Sequence, residues 1–405
     1  MSQLSKHLAD TIRISGPMSI AHYMRQVLTN PISGYYMKGD IFGTKGDFIT
    51  SPEISQMFGE LVGIWLITEW MRQGKPQKVR LVEFGPGRGT LMDDALRAIS
   101  QFKEFASTIE SVNLIEASPH MRRNQFNTLC DPNEQSSKPA YTSSTMYSNE
   151  KQPVLLDALS KQGPQIKWLD GIEELDDGIF TLVTAHEFFD AMPIHKFEKT
   201  EQGWRELMVD LDDSEDSAHN FRIILHPKPT SSSMAYTSHL LFSQCQVGDR
   251  IEVSPDSWVI ANRIAGLLKR NGGSGLIIDY GGMTGGDTLR AIKSHQIVHP
   301  MSNPGTADLS ADVDFEYIKD ASKAEGVQTF GPITQSHFLH SLGIELRLKK
   351  LLENAADERR QKVLFSSYER LVDERAGGMG KVYKAFAISP YTSNNSVPVA
   401  FGVNP

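Results

Sequence analysis

The sequence predicts an α/β fold: a Rossmann-like, mostly parallel sheet with crossover helices, carrying a helical N-terminal extension and an inserted antiparallel lobe. Three observations predict it. From Val79 onward, short apolar runs end in glycine or acid and each is followed by a helical segment, the pattern of a parallel sheet with crossovers. Ahead of Val79, apolar residues recur at helical spacing. Between His195 and Val253 the chain alternates in the manner of antiparallel strands.

In the extension, Leu4, Leu8 and Ile12 mark one helix, and the turn-rich Asn30-Pro31-Ile32-Ser33-Gly34 leads to a stronger one. There Ser51 is the expected N-cap, Pro52 the first helical residue and Glu53 an acid in the first turn. Ile54, Met57, Phe58, Leu61, Val62 and Trp65 then form one apolar face, and Gly74 is placed to stop the helix. The candidate strands are residues 79–84, 112–115, 165–168, 180–184, 275–279 and 381–388. The polar segments 131–159 and 212–216 and the serine cluster around Ser231 are expected to be surface loops. In the inserted lobe, Trp204, Leu207 and Val209 are placed on one side. The expected organisation is an extension over 1–78, a sheet domain over 79–390 with insertions near 131–160, 195–253 and 283–318, and a polar tail over 391–405.

Composition narrows the function. The chain has 405 residues, 40% hydrophobic and 22% charged, an ordinary globular balance. With 49 acidic against 41 basic residues it lacks the basic footprint that nucleic-acid binding needs. Cys130 and Cys245 are too few for a disulfide framework and lack metal-ligand spacing, so a reducing compartment, inert thiols and no metal are expected. The most apolar stretch, residues 61–67, is far short of the roughly 18 residues of a membrane span. The sequence specifies no oligomeric state.

Leu81-Val82-Glu83-Phe84-Gly85-Pro86-Gly87-Arg88-Gly89-Thr90 is a strand turning into a helix, with glycines where backbone curls tightly and a ligand approaches. A dinucleotide site needs G-x-G-x-x-G, but the sixth position from Gly85 is Thr90 and the third glycine falls one residue early, at Gly89. Pro86 removes a backbone donor and Glu83 adds a carboxylate, both unfavourable to a pyrophosphate. S-adenosylmethionine has no phosphate and carries an ammonium and a sulfonium, so the E-x-G-x-G-x-G form suits it. Glu116, at the carboxyl edge of the next strand, is where an acid accepts both ribose hydroxyl hydrogens.

After the fourth strand comes Ala185-His186-Glu187-Phe188-Phe189-Asp190-Ala191-Met192-Pro193, at the edge where open α/β enzymes bind substrate. Arginine stays protonated in proteins, so an enzyme methylating it needs carboxylates to hold the planar fork. Glu187 and Asp190 are the candidates, with His186 orienting the substrate or taking up a proton late. The alternative is a loop in which Glu187 contacts cofactor or caps a helix and the two phenylalanines are core.

Together with Gly46-Asp47-Phe48-Ile49-Thr50-Ser51-Pro52-Glu53-Ile54-Ser55, Gly203-Trp204-Arg205-Glu206, Gly286-Asp287-Thr288-Leu289-Arg290, Gly305-Thr306-Ala307-Asp308-Leu309 and Asp312-Val313-Asp314-Phe315, these motifs resemble the MidA family of mitochondrial complex I assembly methyltransferases. The resemblance runs from about Pro17 to about Phe386. It implies a class I methyltransferase sheet and a type II protein-arginine methyltransferase. The implied reaction is symmetric dimethylation of an arginine on the iron–sulfur-protein subunit of complex I, in the mitochondrial matrix, during assembly. It implies that cofactor is held by Glu83, Gly85, Pro86, Gly87, Gly89, Thr90, Glu116, Ala117 and Asp170, with Ser51, Pro52 and Glu53 closing over it. Asp308, Asp312 and Asp314 become acids for a cationic substrate, or ordinary solvated loop residues. The segment before Ser15 shows no clear transit-peptide pattern, so the mitochondrial setting is what the resemblance alone implies. The rival from another class is an assembly chaperone that keeps the cofactor pocket for stability and in which Glu187 is dispensable.

Overall fold

The computed structural model describes residues 2–37, 50–133, 140–142, 154–214, 219–283, 286–392 and 396–402. The motif residues Gly46, Asp47, Phe48 and Ile49 lie outside the described residues, as do 134–139 and 143–153 of the first insertion, Glu215 and Asp216, residues 284–285, and 393–395 and 403–405 of the tail. Contacts divide the chain into two compact units, one of Met1–Phe48, Phe189–Ile260 and Gly282–Tyr317, the other of Ile49–Phe188, Ala261–Gly281 and Ile318–Pro405.

The second unit holds the large sheet. Its strands are β1 (Val79–Phe84), β2 (Ile109–Ile115), β3 (Ala140–Thr142), β4 (Val154–Leu159), β5 (Gln165–Leu169), β6 (Phe180–His186), β7 (Gly273–Gly282), β8 (Gln328–Thr334) and β9 (Tyr383–Ser389). They lie in the order β8-β9-β7-β6-β1-β2-β5-β4-β3. The central run β7-β6-β1-β2-β5 is parallel, and the flanking strands pair antiparallel. β1 and β6 are buried along their whole length, as strands covered by helices on both faces must be. From β1 the chain steps outward to β2 and β5, then returns to lay β6 and β7 on the other side. The order therefore reverses at the β1–β6 boundary, the crevice where open α/β sheets bind ligands.

All six expected strands are present, but three further strands escaped the sequence reading. Val154–Leu159 and Ala140–Thr142 fall in the segment expected to be a polar loop. An outer antiparallel strand needs only one apolar face, and here Leu155 and Ala158 are buried on either side of a register shift that leaves Leu156 exposed. In β8 the ladder is interrupted between Phe330 and Ile333, across Gly331 and Pro332, which hides its pattern. The last strand begins at Tyr383, because Met379–Val382 forms a helical turn. The helix expected from Ser51 is two helices, Ser51–Ile54 and Gln56–Arg72, with the cap at Thr50. Ser55 is extended between them, and its Oγ accepts from Met57 N at 3.3 Å to start the second.

The first unit carries the antiparallel lobe. Met18–Ser19, Gly203–Leu211, His195–Thr200 and Arg250–Val253 pair in that order, with Phe221–Leu225 also on Gly203–Leu211. Leu207 and Val209 pack with Leu4, Leu8, Ile12 and Tyr23. Trp204 packs instead with the Phe197, Ile251 and Val253 cluster. It is an odd number of residues from both, so strand alternation sends it to the other face, which corrects the expected grouping. A helix over Ile20–Thr29, capped by Ser19, was also missed. Among the described residues, no helix is long and apolar enough to cross a membrane. Cys130 is buried in the core of the second unit, where burial pushes its thiol up to about 12.

One buried ion pair binds the Gln56–Arg72 helix to the sheet. Arg72 donates to both Glu69 oxygens, at 2.6 Å from Nη2 to Oε2, and to Ser389 Oγ at 2.8 Å, while Glu69 is fully buried. Removing one partner strands the other charge away from water. Arg72→Met is therefore expected to lower unfolding stability by about 3 kcal/mol, read as a lower urea midpoint. A midpoint equal to wild type would show that the pair is not needed.

Candidate active site

The backbone leaving β1 turns through three left-handed glycines, Gly85, Gly87 and Gly89, at φ of 58°, 53° and 84°. Gly85 N donates to Ile115 O at 3.2 Å and Gly89 N to Pro86 O at 2.7 Å, so the loop is a hydrogen-bonded turn that opens directly into the Thr90–Ile99 helix. A Cβ on Gly85 would stand 2.9 Å from Phe188 Cδ2, a distance side chains do not tolerate without displacing the ring.

Two acids flank this turn. Glu83 is 3% exposed, and its Oε2 has no hydrogen-bond partner among the described residues. Burial pushes its carboxyl up to about 8. Such a group suits a bound cation, because an ammonium supplies the counter-charge and donors that the protein omits. Glu116, half-buried at the end of β2, accepts from Ser118 N at 2.7 Å and from Gln125 Nε2 at 3.0 Å. Burial raises its carboxyl above the usual range, against the opposing effect of those bonds. The same Gln125 Nε2 donates to Gly87 O at 2.7 Å, and Gln125 Oε1 accepts from Trp168 Nε1 at 2.8 Å. Glu116 therefore lies one amide group away from the glycine loop.

Gln125 was not legible as a site residue, since nothing in its spacing marks it. Nor was Arg122, which is buried, donates to Glu116 O at 2.8 Å and pairs with Asp170. Asp170 follows β5, and its side chain is 69% exposed. Ala117 is exposed beside Glu116, and Thr90 begins the helix after the loop. Ser51 and Pro52 are buried. Glu53 reaches the glycine loop through Arg88, whose Nη1 is 3.5 Å from Glu53 Oε1.

The end of β6 forms the other wall of the crevice. His186 is buried, with Phe58 edge-on at 4.9 Å between centroids and Tyr383 stacked at 6.5 Å. Burial drops its pKa to about 3, so the ring is neutral at physiological pH and a weak base. Of the two roles read from the sequence, orientation fits this environment better than proton uptake. Glu187 follows at φ 49°, left-handed backbone for a residue with a side chain, and its Oε1 is 3.4 Å from His186 Nε2. Phe188 comes next, 5.3 Å from Phe84 between ring centroids. Of the two phenylalanines, Phe188 packs against the glycine loop, and Phe189 is buried in the first unit.

The remaining predicted acids belong to the first unit. Asp190 and Asp308 are buried there. Tyr36 Oη donates to Asp308 Oδ1 at 2.9 Å, and burial with the nearby Asp308 and Asp190 carboxylates holds the Tyr36 hydroxyl well above its usual range. Asp312 pairs with Arg290 at 2.6 Å. Asp314 accepts from Glu316 N and Tyr317 N, at 3.0 and 3.1 Å, at the start of the Phe315–Lys323 helix. Asp312 and Asp314 thus make structural contacts that the sequence did not foreshadow.

Comparison with known proteins gives the family and the fold. The sequence model of a family of S-adenosyl-L-methionine-dependent methyltransferases matches residues 61–333. The mitochondrial protein arginine methyltransferase NDUFAF7 of Xenopus tropicalis is 40% identical over 389 residues, 96% of this chain and 86% of that protein. The Homo sapiens protein of the same name is 38% identical over 393 residues, covering 96% and 84%. A solved structure of a COG1565 superfamily member from Burkholderia thailandensis, bound to S-adenosyl-homocysteine, matches with a TM-score of 0.76 over 98% of this chain and 93% of that one, at 23% identity. That likeness shows the shared fold.

Two outcomes test the cradle. Gly87→Val puts a branched side chain at φ 53°, and S-adenosyl-homocysteine binding measured by calorimetry is expected to weaken more than about 100-fold; an unchanged Kd would remove the loop from the site. Glu83 carries a folded pKa above its unfolded value, so its contribution to stability is complete below about 4.5 and is lost as pH rises through about 8. Unfolding curves are expected to show wild type losing stability relative to Glu83→Gln across that window, and parallel curves would show that Glu83 is not held unfavourably.

Proposed function

The chain belongs to the family of S-adenosyl-L-methionine-dependent methyltransferases defined by its match over residues 61–333, and on that footing we propose that it methylates arginine side chains of a protein partner. The observation that carries the reading is the Glu187 turn: a carboxylate held at the strand-order reversal, on the segment whose next residue packs beneath Gly85 of the cofactor loop.

S-adenosyl-L-methionine, when bound, supplies an electrophilic methyl group on a sulfonium. Glu83 is proposed to meet the cofactor's ammonium and Glu116 its ribose hydroxyls, with Gln125 fixing Glu116 against Gly87 O. Glu116 is suited to this, because each of its oxygens already accepts one hydrogen bond and a carboxylate oxygen has room for another. Ala117, Thr90 and Asp170 are proposed to complete the nucleoside contacts, and Ser51, Pro52 and Glu53 to cover them.

Glu187 is proposed to hold the guanidinium fork. A carboxylate there neutralises the cation and keeps one nitrogen aimed along the line of attack, so orientation supplies much of the acceleration. Neutral His186 buttresses that carboxylate without competing for charge. The proton released by the methylated nitrogen leaves to solvent or to Glu187, which balances the transfer. Asp190 and Asp308, clustered at Tyr36 in the first unit, are proposed to attract the cationic chain, with Asp312 and Asp314 on the same unit.

The names of the relatives support arginine as the residue and the mitochondrion as the setting. The finer reading rests on the family resemblance: type II symmetric dimethylation of the complex I iron–sulfur-protein subunit, in service of assembly. Glu187→Gln deletes charge and keeps shape. It is expected to lower kcat by about 100-fold while S-adenosyl-homocysteine affinity stays within about 2-fold, read by mass spectrometry of the subunit after incubation. Wild-type turnover would remove the carboxylate mechanism and favour a binding role for the pocket.

A further inference from the structure

The parallel ladder between β6 and β7 pairs Ile277 with Ala185 and Ile278 with His186. One residue further, Glu187 N still donates to a β7 carbonyl, Ile278 O, at 3.0 Å. The next donor is different. Phe188 N donates to a side chain, Asp279 Oδ2, at 3.2 Å, while the other oxygen of that carboxylate accepts from Tyr280 N at 3.0 Å. Asp279 is wholly buried, at 0% exposure.

We propose that Asp279 is a positioning residue for methyl transfer, acting through the Glu187–Phe188 turn. The inference rests on the reading of Glu187 given above and extends it to a residue outside that machinery. A residue with a side chain adopts positive φ only against a steric cost, and such backbone persists only where its surroundings over-determine it. At Glu187 the determination is visible on both sides. Its own N–H is held by Ile278 O, and the N–H of its successor is held by Asp279. Release of the second bond removes one of the restraints on that backbone and lets the carboxylate shift from its present direction.

The same bond serves the cofactor side. Phe188 lies 5.3 Å from Phe84 between ring centroids, and a Cβ on Gly85 would meet its ring at 2.9 Å. Holding Phe188 N therefore fixes both the acid proposed to grip the substrate and the ring that floors the glycine loop. A buried carboxylate costs several kcal/mol unless its oxygens are well used, and a backbone carbonyl would satisfy a single N–H more cheaply. The carboxylate takes two donors at once.

A double-mutant cycle tests this on the full chain. Asp279→Ala is expected to lower kcat by about 10- to 100-fold with substrate KM changed by less than about 3-fold. Asp279→Asn keeps one acceptor oxygen and is expected to fall between Asp279→Ala and wild type. In a Glu187→Gln background, Asp279→Ala is expected to cost less than about 2-fold more, since coupled residues lose their separate effects. Should Asp279→Ala not fold, the Asp279→Asn loss and its disappearance in the Glu187→Gln background carry the same comparison. Wild-type kcat in the Asp279 variants, or an equal loss in both backgrounds, overturns the proposal. Wild-type kcat in Glu187→Gln alone overturns instead the reading of Glu187, so the two failures are told apart.

Discussion

Strands that run the same way share a ligand edge only if the backbone leaving the first clears the end of its neighbour. At Gly85 that clearance is set by one ring, since a Cβ would stand 2.9 Å from Phe188. A residue larger than glycine would push the loop away from β6 or the ring out of its place against Phe84. The glycine loop after β1 and the turn after β6 are therefore one packing unit, and each depends on the other to keep its position.

Charge is arranged around that contact with little compensation from the protein. Glu83 is buried and raised to about 8, Glu116 is raised despite the bonds it accepts, and His186 is held neutral. Elsewhere in the same unit a buried acid has a full complement of partners: Glu69 meets Arg72 and Ser274. The contrast separates a carboxylate neutralised by a neighbouring cation from one that the surrounding side chains leave uncompensated. The cost of leaving Glu83 Oε2 without a hydrogen-bond partner among the described residues is borne by the surrounding core, in which Leu81, Leu114, Trp168 and Leu182 are all buried.

The strand ends and the loop were legible because they obey local rules. Burial on both faces makes β1 and β6 short, mostly apolar runs, and three glycines at the end of β1 mark a tight turn. Glu116 was legible for a similar reason, as an acid at the end of the next strand. The outer antiparallel strands were not: β4 needs only Leu155 and Ala158 inside, and β8 is interrupted across Gly331 and Pro332. Trp204 was assigned to the wrong face because its apolar character was counted and its parity was not. The break at Ser55 was hidden by an apolar pattern that runs through it, since the decision lies in one hydroxyl capping Met57 N.

The sheet class, the glycine turn after β1 and the acids Glu83 and Glu116 beside it follow from residues close together in the chain, so the sequence alone specified them. The tertiary structure decided what depends on residues far apart: that Gln125 joins Glu116 to Gly87, that Asp279 holds Phe188 N in the turn after Glu187, and that Asp312 is engaged by Arg290. Periodicity and motif spacing record only neighbours along the chain. A hydrogen bond between residues 38 or 91 positions apart leaves no such record.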